Sequence, residues 1–295
     1  MSDNNISNSN ERENRKVRGY GLGSVDTVIS VDHVVEQAAH LFADAPTREQ
    51  LRGYANDKPL IEINNLVAGY GKSEILHNLD LAVGEGQSLC LIGPNGAGKS
   101  TILHSIYGFT DIKSGEIIKS GENITKLSSN QKLSKARIAY ILQDNSVFPE
   151  MTVEENLLMG GFLLTDQNQA KQAVEKVLDK YQRLADRRKQ KAGNLSGGER
   201  RLLEISRALI MQPDVLLVDE PSIGLEPRFI DSVFEILTDL QKVENKTIIM
   251  VEQNAKKGLE FADIGYVLVS GQLALAGPAS ELLEKEEVGR LFLGG

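Results

Sequence analysis

A lysine closing a glycine-rich turn, two adjacent carboxylates after an apolar run, and a serine followed by two glycines are the residues of this chain best placed to do chemistry. Gly93, Pro94, Asn95, Gly96, Ala97, Gly98, Lys99 and Ser100 fit the spacing G-x-x-x-x-G-K-[ST], and Thr101 follows. Glycines let such a turn aim its backbone N–H groups at phosphate oxygens, and the N-terminus of a following helix adds partial positive charge. Lys99 would then reach the β- and γ-phosphates, and Ser100 would hold Mg²⁺. The chemistry is nucleoside triphosphate binding, with Gly93 through Thr101 as the cradle.

Asp219 and Glu220 follow the run Val215 to Val218. In open α/β sheets the carboxyl end of a strand is where ligands bind. A carboxylate there is costly to bury without a partner. Mg²⁺ supplies one for Asp219, and Glu220 is placed to orient an attacking water or take its proton. Ser196, Gly197 and Gly198, between Leu195 and Glu199, precede a helical run carrying Leu202, Leu203, Ile205, Leu209 and Ile210. A hydroxyl and two amides at a helix N-terminus form a second place suited to phosphate. One nucleotide loop with two phosphate sites far apart in sequence implies a head-to-tail dimer, in which Ser196, Gly197 and Gly198 of one protomer close over the γ-phosphate held by the other.

Positioning these groups requires strands that end in the loops and helices that begin there. Short apolar runs predict strands at Leu60–Ile63, Leu79–Val83, Ser88–Ile92, Glu116–Ile118, Ile138–Leu142, Val215–Val218, Thr247–Val251, Ile264–Val269 and Gln272–Ala276. Helical spacing falls between them, at Lys99–Tyr107, Val153–Gly160, Gln169–Arg188, Glu199–Met211, Pro227–Val243 and Asn254–Phe261. This is an α/β chain with a strand-free stretch at about 144–201, expected to form a helical lobe inserted in the sheet domain. Residues 1–18 read as a polar, disordered tail, and Gly19 to Gly23 as a linker. Val31 to Phe42 and Thr47 to Arg52 read as short helices, so residues 1–58 form a tail with a helical extension and 59–295 the nucleotide-binding domain.

Bulk properties narrow the partners. With 33 basic against 41 acidic residues the net charge is −8, which disfavours nucleic acid. The apolar runs, Val215–Val218 and Ile248–Val251 among them, fall far short of the roughly 18 residues a bilayer span needs, and Met1 to Arg15 lack the apolar core of a secretory signal. A cytoplasmic chain is expected. Cys90 is the one cysteine; with His33, His40, His77 and His104 it makes no metal-ligand spacing, and it reads as core.

In the order Gly93 to Ser100, Gln143, Leu195 to Glu199 and Val215 to Pro221, the chain resembles the ATP-binding subunits of ATP-binding cassette (ABC) transporters over about Leu60 to Gly295. The resemblance implies a P-loop NTPase sheet core with an inserted helical subdomain, ATP and Mg²⁺ as ligands, and hydrolysis coupled to transmembrane permease subunits. It also implies that Tyr70 stacks on adenine, that Gln143 touches Mg²⁺ or the lytic water and opens a segment facing the permeases, and that Ser222 to Pro227 links the two sites of the dimer.

Gln253 stands where most such subunits carry histidine, and it cannot bear an imidazolium charge. The resemblance therefore suggests a heterodimer with a second ATPase subunit as well as a homodimer. Val251 to Asn254, Val147 to Leu157 and Leu291 to Gly295 are similar to the second ATP-binding subunit of bacterial branched-chain amino acid importers, with urea and short-chain amide importers as the near alternative. Leu142 and Asp144 to Ser146 depart from that branch's pattern. A periplasmic solute-binding protein would act indirectly, and the chain would lie on the inner face of the cell membrane. A soluble ribosome- or DNA-directed member of the family would carry two cassettes or a long coiled coil, features this chain lacks. A third reading makes the nucleotide site mainly a binding site and the N-terminal helices a docking module.

Overall fold

A computed structural model describes residues 45–143 and 146–293. The expected helix at Val31–Phe42 and the tail before it lie outside the described residues. The described residues open with helix α1 (Arg48–Tyr54), followed by strands β1 (Pro59–Tyr70), β2 (Ser73–Gly84) and β3 (Ser88–Ile92). Helix α2 (Lys99–Tyr107) leads to β4 (Asp111–Lys119), β5 (Glu122–Asn123), α3 (Ser129–Ser134) and β6 (Ile138–Ile141). Four helices come next: α4 (Val153–Gly160), α5 (Gln167–Lys180), α6 (Gln182–Ala185) and α7 (Gly197–Leu209). The C-terminal part alternates β7 (Val215–Asp219), α8 (Pro227–Lys242), β8 (Thr247–Val251), α9 (Ala255–Phe261), β9 (Ile264–Val269) and β10 (Gln272–Pro278), closing with α10 (Ala279–Glu284) and α11 (Glu286–Val288).

Two sheets result. One has the order β10-β9-β3-β8-β7-β6, parallel except for the antiparallel edge strand β10; the other is antiparallel, β2-β1-β4-β5. Strands β3, β7, β8 and β9 are buried along their whole length, because a parallel sheet has both faces covered, so their sequences are unbroken apolar runs. Alternation then divides each strand between two cores. Leu89, Leu91, Val215, Leu217, Ile249 and Val251 pack toward the antiparallel sheet and α2, while Cys90, Ile92, Leu216, Val218, Ile248 and Met250 pack toward α8 and α9. Gly258 of α9 approaches so closely that a Cβ there would lie 2.6 Å from the Cys90 sulfur. Burial pushes the Cys90 thiol far above its ordinary pKa, and Glu252 adds to that rise.

The strands of the antiparallel sheet run much longer than expected: β1 and β2 have 12 residues each. The physical reason is a bulge. Pairing slips between Ile63 and Leu66, where Asn65 takes the left-handed conformation at φ 48° and its N–H donates to Asp80 Oδ1 at 2.7 Å. Beyond a slip the two-residue alternation changes phase, which hides the strand's continuation from a periodicity reading.

The expected single helix over Gln169–Arg188 is overturned as well. It ends at Tyr181, whose φ of −114° and ψ of 79° leave the helical region. Arg188 then turns back to bond Glu175 and Glu154, each at 2.5 Å. A continuous helix would place Arg188 about 20 Å along the axis from Glu175, so this clamp requires the reversal. Helices α4 to α7 enclose an apolar cluster of their own, including Val153, Leu157, Val174, Leu178, Leu184 and Leu203. Helix α1, capped by a reciprocal Thr47–Gln50 pair, lays Leu51 and Ala55 into the core of the sheet domain.

Contacts between the sheets fix the nucleotide loop from behind. Tyr266 of β9 bridges to β2, its hydroxyl donating to the Ala82 carbonyl and accepting from the Ala82 N–H, both at 3.1 Å. Gly271, in the β9–β10 turn at φ 76°, accepts from His77 N–H and donates to the Ala97 carbonyl, each at 2.9 Å. A Cβ on Gly271 would lie 1.8 Å from the Ile75 carbonyl oxygen. Gly271→Ala should therefore lower stability by about 2 kcal/mol or more and weaken nucleotide binding in parallel. Denaturant unfolding and a nucleotide titration check this, and wild-type behaviour in both would show that the turn does not brace the loop.

Candidate functional site

The cradle forms because β3 is fully buried and its chain must leave the sheet through a conformation open only to glycine. Gly93 sits at φ 147°, and a Cβ on it would come within 2.2 Å of the Leu268 carbonyl. Gly98, at φ 96°, caps α2 in the left-handed region. Lys99, 7% exposed, folds its ammonium back onto the carbonyls of Gly93 (2.9 Å) and Pro94 (3.0 Å). Burial holds its pKa below the usual lysine value, against the opposing pull of Glu220 and Asp219. The ammonium is thus parked on weak neutral acceptors a short reach from where a phosphate would enter.

The end of β7 meets this loop. Ser100 Oγ donates to Asp219 Oδ1 at 3.0 Å, and Tyr140 OH donates to Oδ2 at 2.7 Å. Glu220, next along, stands at φ 44°, a conformation that costs a non-glycine residue energy and often marks a functional position. Its N–H donates to the Val251 carbonyl at 2.8 Å, extending the β7–β8 pairing, and its Oε2 accepts from Gln143 Nε2 at 2.9 Å. Tyr70, Asn95, Gly96, Gly98, Lys99, Ser100, Thr101, Gln143, Glu220 and Gln253 line a single cavity of about 540 Å³. Tyr70, 44% exposed at its edge, contacts the His104 ring nitrogen through its hydroxyl.

Among the described residues no group of three or more His, Cys, Asp or Glu side chains could cage a metal. The hard oxygens of Ser100 and Asp219 nonetheless suit Mg²⁺, which is commonly held by one or two protein oxygens together with substrate phosphates and water.

Ser196, Gly197 and Gly198 stand elsewhere. Ser196 caps α7 in a reciprocal box: Glu199 N–H donates to its Oγ at 3.3 Å, and Ser196 N–H donates to Glu199 Oε2 at 2.9 Å. Ser196 and Gly198 line a different cavity, of about 480 Å³, with Arg187 and Phe229. Gly198 packs so near Phe229 of α8 that a Cβ would lie 2.5 Å from its ring.

The sequence reading did not single out the side chains that hold these parts together. On α7, Arg201 and Glu204 form a buried ion pair at 2.9 Å, with side chains 4% and 6% exposed. Arg201 also donates to the carbonyls of Leu142 (2.7 Å) and Asp219 (3.4 Å), and Glu204 accepts from Ser146 N–H at 3.3 Å. One pair thus ties the helix headed by Ser196 to the segment of Gln143 and to the strand end of Asp219. Glu204 inside the apolar run Leu202, Leu203, Ile205, with Arg201 directly before it, was the available signal. Glu252, 1% exposed, accepts from Ser222 Oγ at 2.6 Å and from Asn254 N–H at 3.0 Å, so it joins the loop after Glu220 to that of Gln253. Tyr140 and His104 gave no signal in one dimension. Burial holds the Tyr140 phenol well above its ordinary pKa, and the Asp219 carboxylate raises it further; burial lowers His104.

Comparison with known proteins gives a consistent result. Residues 76–223 match the family described as ABC transporter. The chain is 41% identical over 236 residues to the high-affinity branched-chain amino acid transport ATP-binding protein BraG of Pseudomonas aeruginosa, covering 80% of this chain and all of the relative. It is 39% identical over 229 residues to the probable branched-chain amino acid transport ATP-binding protein LivF of Archaeoglobus fulgidus, covering 78% and 96%. Among solved structures, a nucleotide-free ATP-binding cassette from an ABC transporter superposes with a TM-score of 0.71 at 27% identity, over 80% of this chain and 100% of that one. The ADP conformation of an ATP-binding cassette gives 0.71 and 27%, over 80% and 99%.

Glu204→Ala leaves the Arg201 guanidinium buried and unpaired, which should cost about 3–5 kcal/mol, whereas Glu204→Gln, keeping an acceptor, should cost less. Chemical denaturation of both variants measures this, and equal stabilities for the two would show that charge pairing is not what holds α7 in place.

Proposed function

This chain belongs to the ABC transporter family and is an ATPase, and on that premise we propose that it binds ATP with Mg²⁺ between two protomers and drives import of branched-chain amino acids through separate permease subunits. The observation that carries the reading is the convergence of Lys99, Ser100, Gln143 and Glu220 on one open cavity, with Asp219 bonded to Ser100 behind it, while the phosphate-suited end of α7 lines another. Each half lacks what the other holds.

Catalysis in such a site is mostly positioning and charge neutralisation for an in-line attack of water on the γ-phosphorus. Lys99 leaves the Gly93 and Pro94 carbonyls for the stronger, charged phosphate acceptor. Ser100 and Asp219 would hold the Mg²⁺, which would supply charge neutralisation at the phosphate oxygens. Glu220 orients the water and takes its proton; Gln143, bonded to Glu220, fixes that carboxylate and supports the Mg²⁺ side of the pocket. Tyr70 offers an aromatic face to adenine, and the amides from Gly93 to Thr101 cradle the phosphates. Ser196, Gly197 and Gly198 of the opposite protomer donate to the γ-phosphate and close the dimer. Closure does work on the permeases only through tighter binding of ATP to the closed form.

ABC ATPase subunits dimerise and work with membrane permeases. Among the described residues no helix is long and apolar enough to cross a membrane. Leu142, Phe148 and Met159 expose apolar surface around the segment that follows Gln143, and Phe162 is 79% exposed. This surface suits a permease loop, and it supports a place on the inner face of the cell membrane with a periplasmic solute-binding protein acting only indirectly. The solute follows from what the two relatives' names say; import of urea or short-chain amides is the alternative. Gln253 supports pairing with a second, different ATPase subunit rather than a copy of this chain. Helix α1, within the 1–58 segment, is anchored on the 59–295 domain, whose helical lobe we take to be 144–201.

Glu220→Gln should keep ATP affinity while lowering turnover roughly a hundred-fold or more, and with ATP it should form a dimer in light scattering once its partner subunits are supplied. Wild-type turnover would remove Glu220 from the role of base, and persistent monomers would overturn the shared pocket. In the assembled transporter, Gln253→His should raise ATPase and transport rates; unchanged rates would show that the missing imidazolium does not limit this site.

A further inference from the structure

The metal carboxylate is held by an aromatic hydroxyl with no assigned role in the mechanism above. Asp219 uses Oδ1 toward Ser100 and Oδ2 toward Tyr140, so the two bonds together fix the rotation of the carboxylate about its own axis. Tyr140 is itself immobilised. Its ring packs against Tyr107, His104 and Phe109, with centroids 5.5, 5.7 and 5.9 Å away, and its backbone is paired in β6 to Leu217 of β7. His104 in turn touches Tyr70 at the mouth of the cavity. The hydroxyl therefore cannot drift from Asp219 without disturbing the aromatic cluster.

We infer that Tyr140 is a positioning residue for magnesium: it pins Oδ2 of Asp219 so that Oδ1 and the Ser100 hydroxyl present a preset pair of oxygens to the Mg²⁺ that accompanies the nucleotide. Ser100 and Asp219 would hold the ion, and Tyr140 would be the side-chain contact that keeps the carboxylate aimed. Outer-shell hydrogen bonds of this kind orient metal-binding carboxylates, and their loss typically weakens metal affinity roughly ten-fold or more. The inference rests on Asp219 being the metal carboxylate.

The test uses the full chain. Mn²⁺ binding to the protein–ADP complex is followed by electron paramagnetic resonance, and ADP affinity is measured in EDTA and across a Mg²⁺ titration. Tyr140→Phe keeps the ring and removes only the hydroxyl. It should raise the Mg²⁺ and Mn²⁺ concentrations for half-saturation by roughly ten-fold while leaving metal-free ADP affinity unchanged. Tyr107→Phe, which alters the same cluster without touching Asp219, should behave as wild type. A shift below three-fold in Tyr140→Phe, or an equal shift in Tyr107→Phe, overturns the assignment of the hydroxyl. Asp219→Asn separates the two levels: a large loss of metal dependence there beside an unaffected Tyr140→Phe sinks the Tyr140 role alone, whereas an unaffected Asp219→Asn removes the metal carboxylate and the Tyr140 role with it.

Discussion

A carboxylate at the inner end of a buried strand is the constraint on which the rest of the structure depends. Asp219 is 5% exposed, and a charge in that position is tolerable only among donors and counter-charges. The fold supplies them from every side: Ser100 from the loop helix, Tyr140 from the neighbouring strand, the Lys99 ammonium as a nearby positive charge, and Arg201 on the strand's own terminal carbonyl. Ser100, Tyr140 and Arg201 come from three different elements, and Lys99 shares α2 with Ser100. Satisfying one charge thereby assembles the site, because neither Ser100 nor Tyr140 can be moved without leaving the carboxylate short of a partner.

The same economy appears in the layers. The parallel sheet has two cores, and its strands deliver loop residues at one edge only because both faces are sealed. The antiparallel sheet lies over one face, and its His77 bonds the β9–β10 turn at Gly271, which in turn bonds Ala97 of the nucleotide loop. The helical lobe has its own apolar cluster but is not independent: the Arg201–Glu204 pair binds its last helix to both the Gln143 segment and the β7 end. A shift of α7 would thus be transmitted to the Gln143 segment and to the β7 end.

How much of this was legible in one dimension depends on whether the governing interaction is local. The strand Ser88–Ile92 and helix Lys99–Tyr107 emerge at their true limits, since an apolar run, glycines forced to positive φ and a lysine at a helix start are neighbours in sequence. Thr247–Val251 and Ile264–Val269 emerge for the same reason. The break at Tyr181 was not legible, because the Arg188–Glu175 pair that accompanies it forms only after the chain reverses. The full length of β1 was hidden by the bulge at Asn65. At the site, motif residues such as Lys99, Asp219 and Glu220 carry a signature in their spacing. Tyr140, Glu252 and Arg201 act through partners 79, 30 and 59 residues away, and no local pattern announces such a pairing.

Cys90 has a practical consequence. The chain's one sulfhydryl lies beneath Gly258 with burial holding it in its protonated, unreactive form, and the thiolate is what reacts with maleimides and methanethiosulfonates. The native chain is thus chemically silent to such reagents while folded. A fluorophore or spin label attached to a single introduced surface cysteine would report from that position alone, without first removing Cys90 from the packing it completes.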